Sequence, residues 1–184
     1  MKELALHILD LVQNCITAGA DRITLDINED MEENTLSIRI EDNGCGMDEE
    51  TLKRVIDPFY TTRTTRSVGL GVPMFKVNAE MCGGDFNITS LVGAGTKVDA
   101  WFMYDHIDRP PLGDMPNTIV GIVLSLESAD LDYFHTRNGK TFSLSTSEMR
   151  EMLGEDVSLS EVDVLQWVKA YVTEGLTEIG VDSQ

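Results

Sequence analysis

The sequence predicts an α+β fold: a two-layer α/β sandwich in which helices cover one face of a mixed, mainly antiparallel sheet. Two observations carry this. Apolar residues recur at helical spacing over 3–18 and 70–81. Runs centred on Ile23-Leu25-Ile27, Leu36-Ile38-Ile40 and Val98-Ala100-Phe102 alternate strictly between apolar and polar residues. Such alternation marks strands with one buried and one wet face, the signature of antiparallel neighbours.

In chain order, Leu4, Ile8, Leu11 and Cys15 define the first helix, and Gly19 stops it. Two strands follow, joined by a polar turn over 28–34. Residues 48–56 read as a short helix, and 57–69, with Thr61 to Arg66 all Thr or Arg, read as a loop. Leu70, Met74, Val77 and Met81 outline an amphipathic helix ended by Gly83-Gly84. Phe86 and Ile88 mark a third strand, and Val98 to Tyr104 a fourth. Arg109-Pro110-Pro111 breaks the chain, which divides it into a domain over 1–108 and an extension over 109–184. The extension reads as a helix over 112–126, a hairpin turning at Asn138-Gly139, and two final helices. Ser145 with Glu148, and Ser160 with Asp163, have capping-box spacing. The hairpin is expected to extend the sheet. Trp167 and Tyr171 are expected to pack the last helix back onto the domain, the alternative being a partner surface.

The 184 residues carry 32 acidic and 14 basic side chains, net −18. Nineteen acidic and ten basic residues precede Leu112, so half the excess lies beyond Pro111. Such a surface repels phosphate backbones and anionic lipid heads, which excludes nucleic acid and membranes as expected partners. No apolar run reaches the roughly 20 residues a membrane span needs. Three cysteines without metal-ligand spacing suit a reducing, cytoplasmic setting. Cys15 and Cys82 sit in apolar patterns and are expected in the core.

Four segments hold residues with chemical potential. Asp10 and Asn14 stand four apart and share a helix face, where a carboxylate and an amide oxygen suit either solvent or a hard cation. Glu41-Asp42-Asn43-Gly44-Cys45-Gly46-Met47 links a strand end to a helix start. It is turn chemistry, or an aspartate placed to accept from a purine amino group beside glycines that permit close approach. Asp57-Pro58-Phe59-Tyr60-Thr61-Thr62-Arg63 runs on to Arg66 and to Gly69-Leu70-Gly71 at a helix start. Free N–H groups and a positive helix end seat phosphate, and two arginines lie just before them in an acidic chain. Gly93-Ala94-Gly95-Thr96 precedes the fourth strand, as a tight hairpin or as a turn presenting Thr96 to the same purine.

In this order and at these separations, the segments resemble the GHKL ATPases: histidine kinases, gyrase- and MutL-type ATPases, heat-shock protein 90 and anti-sigma serine kinases. The resemblance covers residues 1–104 and implies the Bergerat fold with ATP and Mg²⁺ as ligands. It implies that Asn14 holds Mg²⁺ and that Asp10 stands where the family has a general-base Glu. That residue is one methylene shorter here, which puts water activation at issue and leaves binding intact. Asp42, with Gly44, Gly46, Met47 and Thr96, takes the adenine side. Phe59, Thr62, Arg63, Arg66, Gly69, Leu70 and Gly71 take the phosphate lid. The segment from Asp57 to Arg63 is most similar to that of histidine kinases. No helical hairpin with a phospho-accepting histidine precedes Asp10 in these residues. The expected protein is therefore a stand-alone module, a kinase acting on a separate protein partner or an ATP-gated switch. The alternatives are a slow ATPase and an interaction protein with a vestigial site. His7 is expected to pack or pair locally, and His106 and His135 to lie at the surface or on an edge strand.

Overall fold

A computed structural model describes residues 3–57, 71–154 and 156–181. In chain order the elements are α1 (Leu4–Thr17), β1 (Arg22–Asp30), β2 (Thr35–Asp42), α2 (Glu49–Ile56), α3 (Gly71–Met81), β3 (Asp85–Leu91), β4 (Gly95–Met103), α4 (Met115–Ser125), β5 (Asp130–Arg137), β6 (Lys140–Ser145), α5 (Thr146–Leu153) and α6 (Val162–Glu178). The six strands form one sheet ordered β3-β4-β2-β1-β5-β6. Every neighbouring pair is antiparallel except β1 with β5. The expected α+β sandwich is present, and the C-terminal hairpin extends the sheet.

The period-2 pattern sets the layers. Ile23, Leu25 and Ile27 of β1, Ile38 and Ile40 of β2, and Leu131 and Tyr133 of β5 share one face and are buried. Helices α1, α3 and α6 contact the sheet, and α4 bridges α1 and α6. Each aliphatic side chain sealed there contributes about 1.5–3 kcal/mol relative to exposure. Alternate residues such as Arg39, Asp99 and Trp101 face away, with Arg39 Nε on Asp99 Oδ1 at 2.6 Å.

Several sequence expectations need correction. The polar stretch 28–34 is a turn only over 31–34, because β1 runs to Asp30. Asn28 and Asp30 keep the alternation on the wet face, while Glu29 turns inward. Helix α3 is rotated from the expected face: Val72, Phe75 and Ala79 are buried, whereas Met74, Val77 and Met81 are exposed. Phe75 decides this, because its ring packs against His7, Phe86 and Phe102. His135 is neither exposed nor on an edge strand. It is fully buried in β5, between β1 and β6, with Nε2 2.8 Å from Glu29 Oε1 and Nδ1 2.8 Å from the Tyr133 hydroxyl. Neither capping box forms. The Ser145 hydroxyl donates to Asp132 instead, and the N-cap position of α6 is Glu161 rather than Ser160, with no side-chain capping bond.

Other expectations hold. Gly19 ends α1 at φ +72°, and Cys15 and Cys82 are buried. Asn138 and Gly139 both take positive φ, as a two-residue hairpin loop requires. Tyr171 packs its ring 5.2 Å from Phe142, yet Trp167 and Tyr171 both stay substantially exposed. Among the described residues, no helix is long and apolar enough to cross a membrane.

Candidate functional site

Register brings the distant segments together. Asp42 ends β2 opposite Thr96 of β4, and Thr96 stands opposite Ser90 of β3. Asp42 is buried, and its Oδ1 accepts from the Gly44 N–H at 2.8 Å. The Thr96 and Ser90 hydroxyls are 2.8 Å apart, and Ser90 Oγ also accepts from the Met47 N–H at 2.8 Å. Met47, Thr96 and Asp42 thus stand on one rim.

The glycines are required by backbone packing as well as by any ligand. A Cβ on Gly46 would lie 2.0 Å from the Leu91 carbonyl oxygen, and one on Gly95 would lie 1.9 Å from the Asp42 carbonyl oxygen. Gly44 sits against Ala18, where a Cβ would meet the carbonyl oxygen at 2.8 Å. The Cys45 N–H donates to the Ala18 carbonyl, and the Gly93 N–H to the Cys45 carbonyl. These bonds lock the loop after β2 between the end of α1 and the β3–β4 turn. Asn43 adds two bonds, its Oδ1 accepting from the N–H groups of Asp21 and Arg22.

Below that rim lies a cavity of about 210 Å³. Its apolar wall includes Leu11, Ile40, Val55, Val72, Ile88 and Val98, and among the described residues Asp42 is the only charged one lining it. A buried carboxylate in an apolar slot selects a ligand that donates a hydrogen bond from a flat, largely apolar body. Cys15 lines the same cavity beside Asp42. Burial first, then the Asp42 charge, pushes its thiol well above the ordinary range, so it stays protonated and donates to the Leu11 carbonyl at 3.2 Å.

Asn14 reaches the same cavity from α1. Asp10 is exposed one turn earlier, against the first residue of α3: a Cβ on Gly71 would meet Asp10 Cβ at 3.0 Å and Oδ2 at 3.1 Å. Behind them His7 is fully buried, with Nε2 3.0 Å from the Asn78 amide nitrogen. It pairs locally, as expected. Burial pushes its pKa below the ordinary value. Phe59, Thr62, Arg63, Arg66, Gly69 and Leu70 lie outside the described residues.

Asp10 and Asn14 offer one carboxylate and one amide oxygen, and among the described residues no hydrogen bond occupies either side chain. No group of three or more His, Cys, Asp or Glu residues could hold a metal unaided among the described residues. That donor set fits Mg²⁺, which keeps several waters and is held by one or two protein oxygens together with substrate phosphates.

Sequence reasoning missed Cys15, Ser90 and the aliphatic wall. Cys15 was visible only as a core position beside Asn14, and Ser90 becomes relevant only once the β3–β4 register sets it opposite Thr96.

The profile of the histidine kinase-, DNA gyrase B-, and HSP90-like ATPases matches residues 2–106, and the chain belongs to that family. It is an ATP-binding domain resembling the catalytic domains of histidine kinases. The signal transduction histidine-protein kinase AtoS of Escherichia coli (strain K12) is 37% identical over 98 residues, 52% of this chain and 15% of that protein. A sensor protein of Shewanella frigidimarina (strain NCIMB 400) is 34% identical over 99 residues, 53% of this chain and 15% of that protein. The sensor histidine kinase WalK of Bacillus subtilis (strain 168) is 34% identical over 85 residues, 44% of this chain and 14% of that protein. The chain therefore spans only a small part of these relatives' length. The N-terminal domain of a DNA repair protein superposes with a TM-score of 0.54 at 17% identity, covering 79% of this chain and 53% of that one, a likeness of fold.

Proposed function

We propose that this protein is a regulatory Mg-ATP module that acts on a separate protein, as a protein kinase or as an ATP-gated switch. The observation that carries the proposal is the Asp42 carboxylate, buried in the lining of an apolar cavity that Asn14 also lines. Asp42 accepts from the adenine amino group, with the Thr96–Ser90 hydroxyl pair beside it. The aliphatic wall sandwiches the ring and excludes water. Asn14 and Asp10 supply the oxygens that hold Mg²⁺; when bound, that ion neutralises triphosphate charge. Gly71 seats the start of α3 against Asp10, and the resemblance assigns Phe59, Thr62, Arg63, Arg66, Gly69 and Leu70 to the phosphates. Phosphoryl transfer asks a protein chiefly for positioning and charge stabilisation, which this constellation supplies. Three free cysteines suit a cytoplasmic setting.

Incubation with [γ-³²P]ATP, Mg²⁺ and purified candidate partners tests the kinase reading. Label on a partner, lost with Asn14→Ala, supports it. A partner that binds only with ATP analogue and takes no label assigns the switch instead.

A second reading rests on Asp10, whose exposed carboxylate is one helical turn from Asn14 and suits a weak general base for hydrolysis. Phosphate release without any partner, abolished by Asp10→Asn, would favour it.

A further inference from the structure

A second pocket, of about 300 Å³, lies at the other end of the sheet and shares no residue with the nucleotide cavity. It straddles the edge strand β6 between α5 and α6. Trp167 and Tyr171 stand four apart on α6 and stack face to face, with ring centroids 4.9 Å apart and planes 9° from parallel. Trp167 is 50% exposed, Tyr171 41%, Phe134 39% and Met152 78%. Asp132 and Glu148 line the same pocket, and among the described residues no lysine or arginine does. Neighbouring Arg150 is committed elsewhere, to Asp130 and to the carbonyls of Glu127 and Ala129. Residues 112–184 together carry 13 acidic and four basic side chains.

Packing alone does not account for this arrangement. The helix is already anchored by Val164, Val168, Val172 and Leu176, and Gly175 fits against the Phe142 ring. Two large aromatics left half in water, with carboxylates beside them, match a partner that brings a planar cation. A guanidinium stacks on an indole face and takes a carboxylate with two parallel N–H bonds, neither of which an ammonium does as well. β6 is a sheet edge, with β5 as its strand neighbour. Free edge groups favour a peptide over a small cation.

We infer that the pocket formed by Phe134, Met152, Trp167 and Tyr171, rimmed by Asp132 and Glu148, docks an arginine-bearing segment of a partner protein. The site lies apart from the nucleotide cavity and lets the extension choose the partner while the nucleotide domain works on it.

Trp101→Phe leaves Trp167 as the sole tryptophan of the two in the chain, so its fluorescence reports the pocket. The probes are acetyl-Gly-Arg-Leu-Arg-Gly-amide and its counterpart with citrulline in place of arginine. The expected result is a saturable change with the arginine peptide at low-millimolar concentration or below. Citrulline should bind about tenfold more weakly or worse, and Asp132→Asn with Glu148→Gln should lose most of the affinity. Binding should weaken with added salt, as charge pairing near a surface does. Equal response to citrulline, or no saturable change, overturns the inference. So does self-association in sedimentation that Trp167→Ala abolishes, which would assign the face to a second copy of the chain. The Mg-ATP-induced rise in melting temperature, recorded for each variant, should be unchanged; its absence in the parent would count against the nucleotide reading and not against this one.

Discussion

His7 and Glu29 are buried ionisable side chains that oppose acid in different windows. Burial holds the His7 pKa below the ordinary 6.5. The unfolded chain therefore takes up a proton at about that pH while the folded one does not. Stability falls as pH drops below about 6.5, by at most about 1.4 kcal/mol per unit for one proton. For Glu29, burial alone raises the pKa, but the hydrogen bond and charge of His135, with Arg137, outweigh it and hold the carboxyl below 4.5. Its contribution is full above 4.5 and is lost as pH falls through the lower folded value. Urea titrations at pH 7.5, 6.5 and 5.5 should show a shallower decline for His7→Val than for the parent; parallel declines would remove His7 from the account. Among single residues, those with a fixed spacing were legible: Asp10 with Asn14, and Asp42 before its glycines. His135 was not, because its partner Glu29 is over a hundred positions away and pairs only through the β1–β5 register.

The hairpin joining β5 and β6 was the most legible element, and its turn isolates a backbone cost. Asn138 and Gly139 sit at φ +47° and +80°, and a Cβ on Gly139 would have nothing within 4 Å. Gly139→Val thus meets no clash, only the penalty of a β-branched residue in left-handed backbone, about 1–2 kcal/mol. In a chain of this size that lowers the melting temperature by about 2–8 °C, readable by circular dichroism. An unchanged melting point would mean that the turn rearranges freely. Helix α3 was recognised as a helix but assigned the wrong face. Its apolar residues nearly encircle it, so periodicity alone could not choose between Met74-Val77-Met81 and Val72-Phe75-Ala79. The aromatic cluster around Phe75 chose. The unformed capping boxes teach the same lesson: Ser145 has the right spacing, but its hydroxyl is turned onto Asp132 across the β5–β6 pair and accepts from no N–H of α5.

At the scale of the whole molecule, the alternating strands made the sandwich legible and the hairpin was expected to extend the sheet, while its parallel pairing with β1 was not legible. β1 pairs with β2 on one side and β5 on the other, and the N–H groups of Leu4 and Ala5 donate to Pro111 and Leu112. A chain cut after Asp108 loses β5 and α4 and uncovers Ile23, Leu25 and Ile27. It should give no cooperative thermal transition near that of the full chain; a matching melt would show that residues 1–108 stand alone. The nucleotide site likewise depends on the assembled sheet, because Asp42 is aimed by neighbours on β4 and by Ala18 at the end of α1. Isothermal calorimetry of the full chain with Mg-ATP tests this most directly. The account predicts saturable binding that weakens about 10- to 150-fold in Asp42→Ala, the loss of one hydrogen bond to a charged group. Equal affinity in parent and variant, or no heat of binding in the parent, would contradict it.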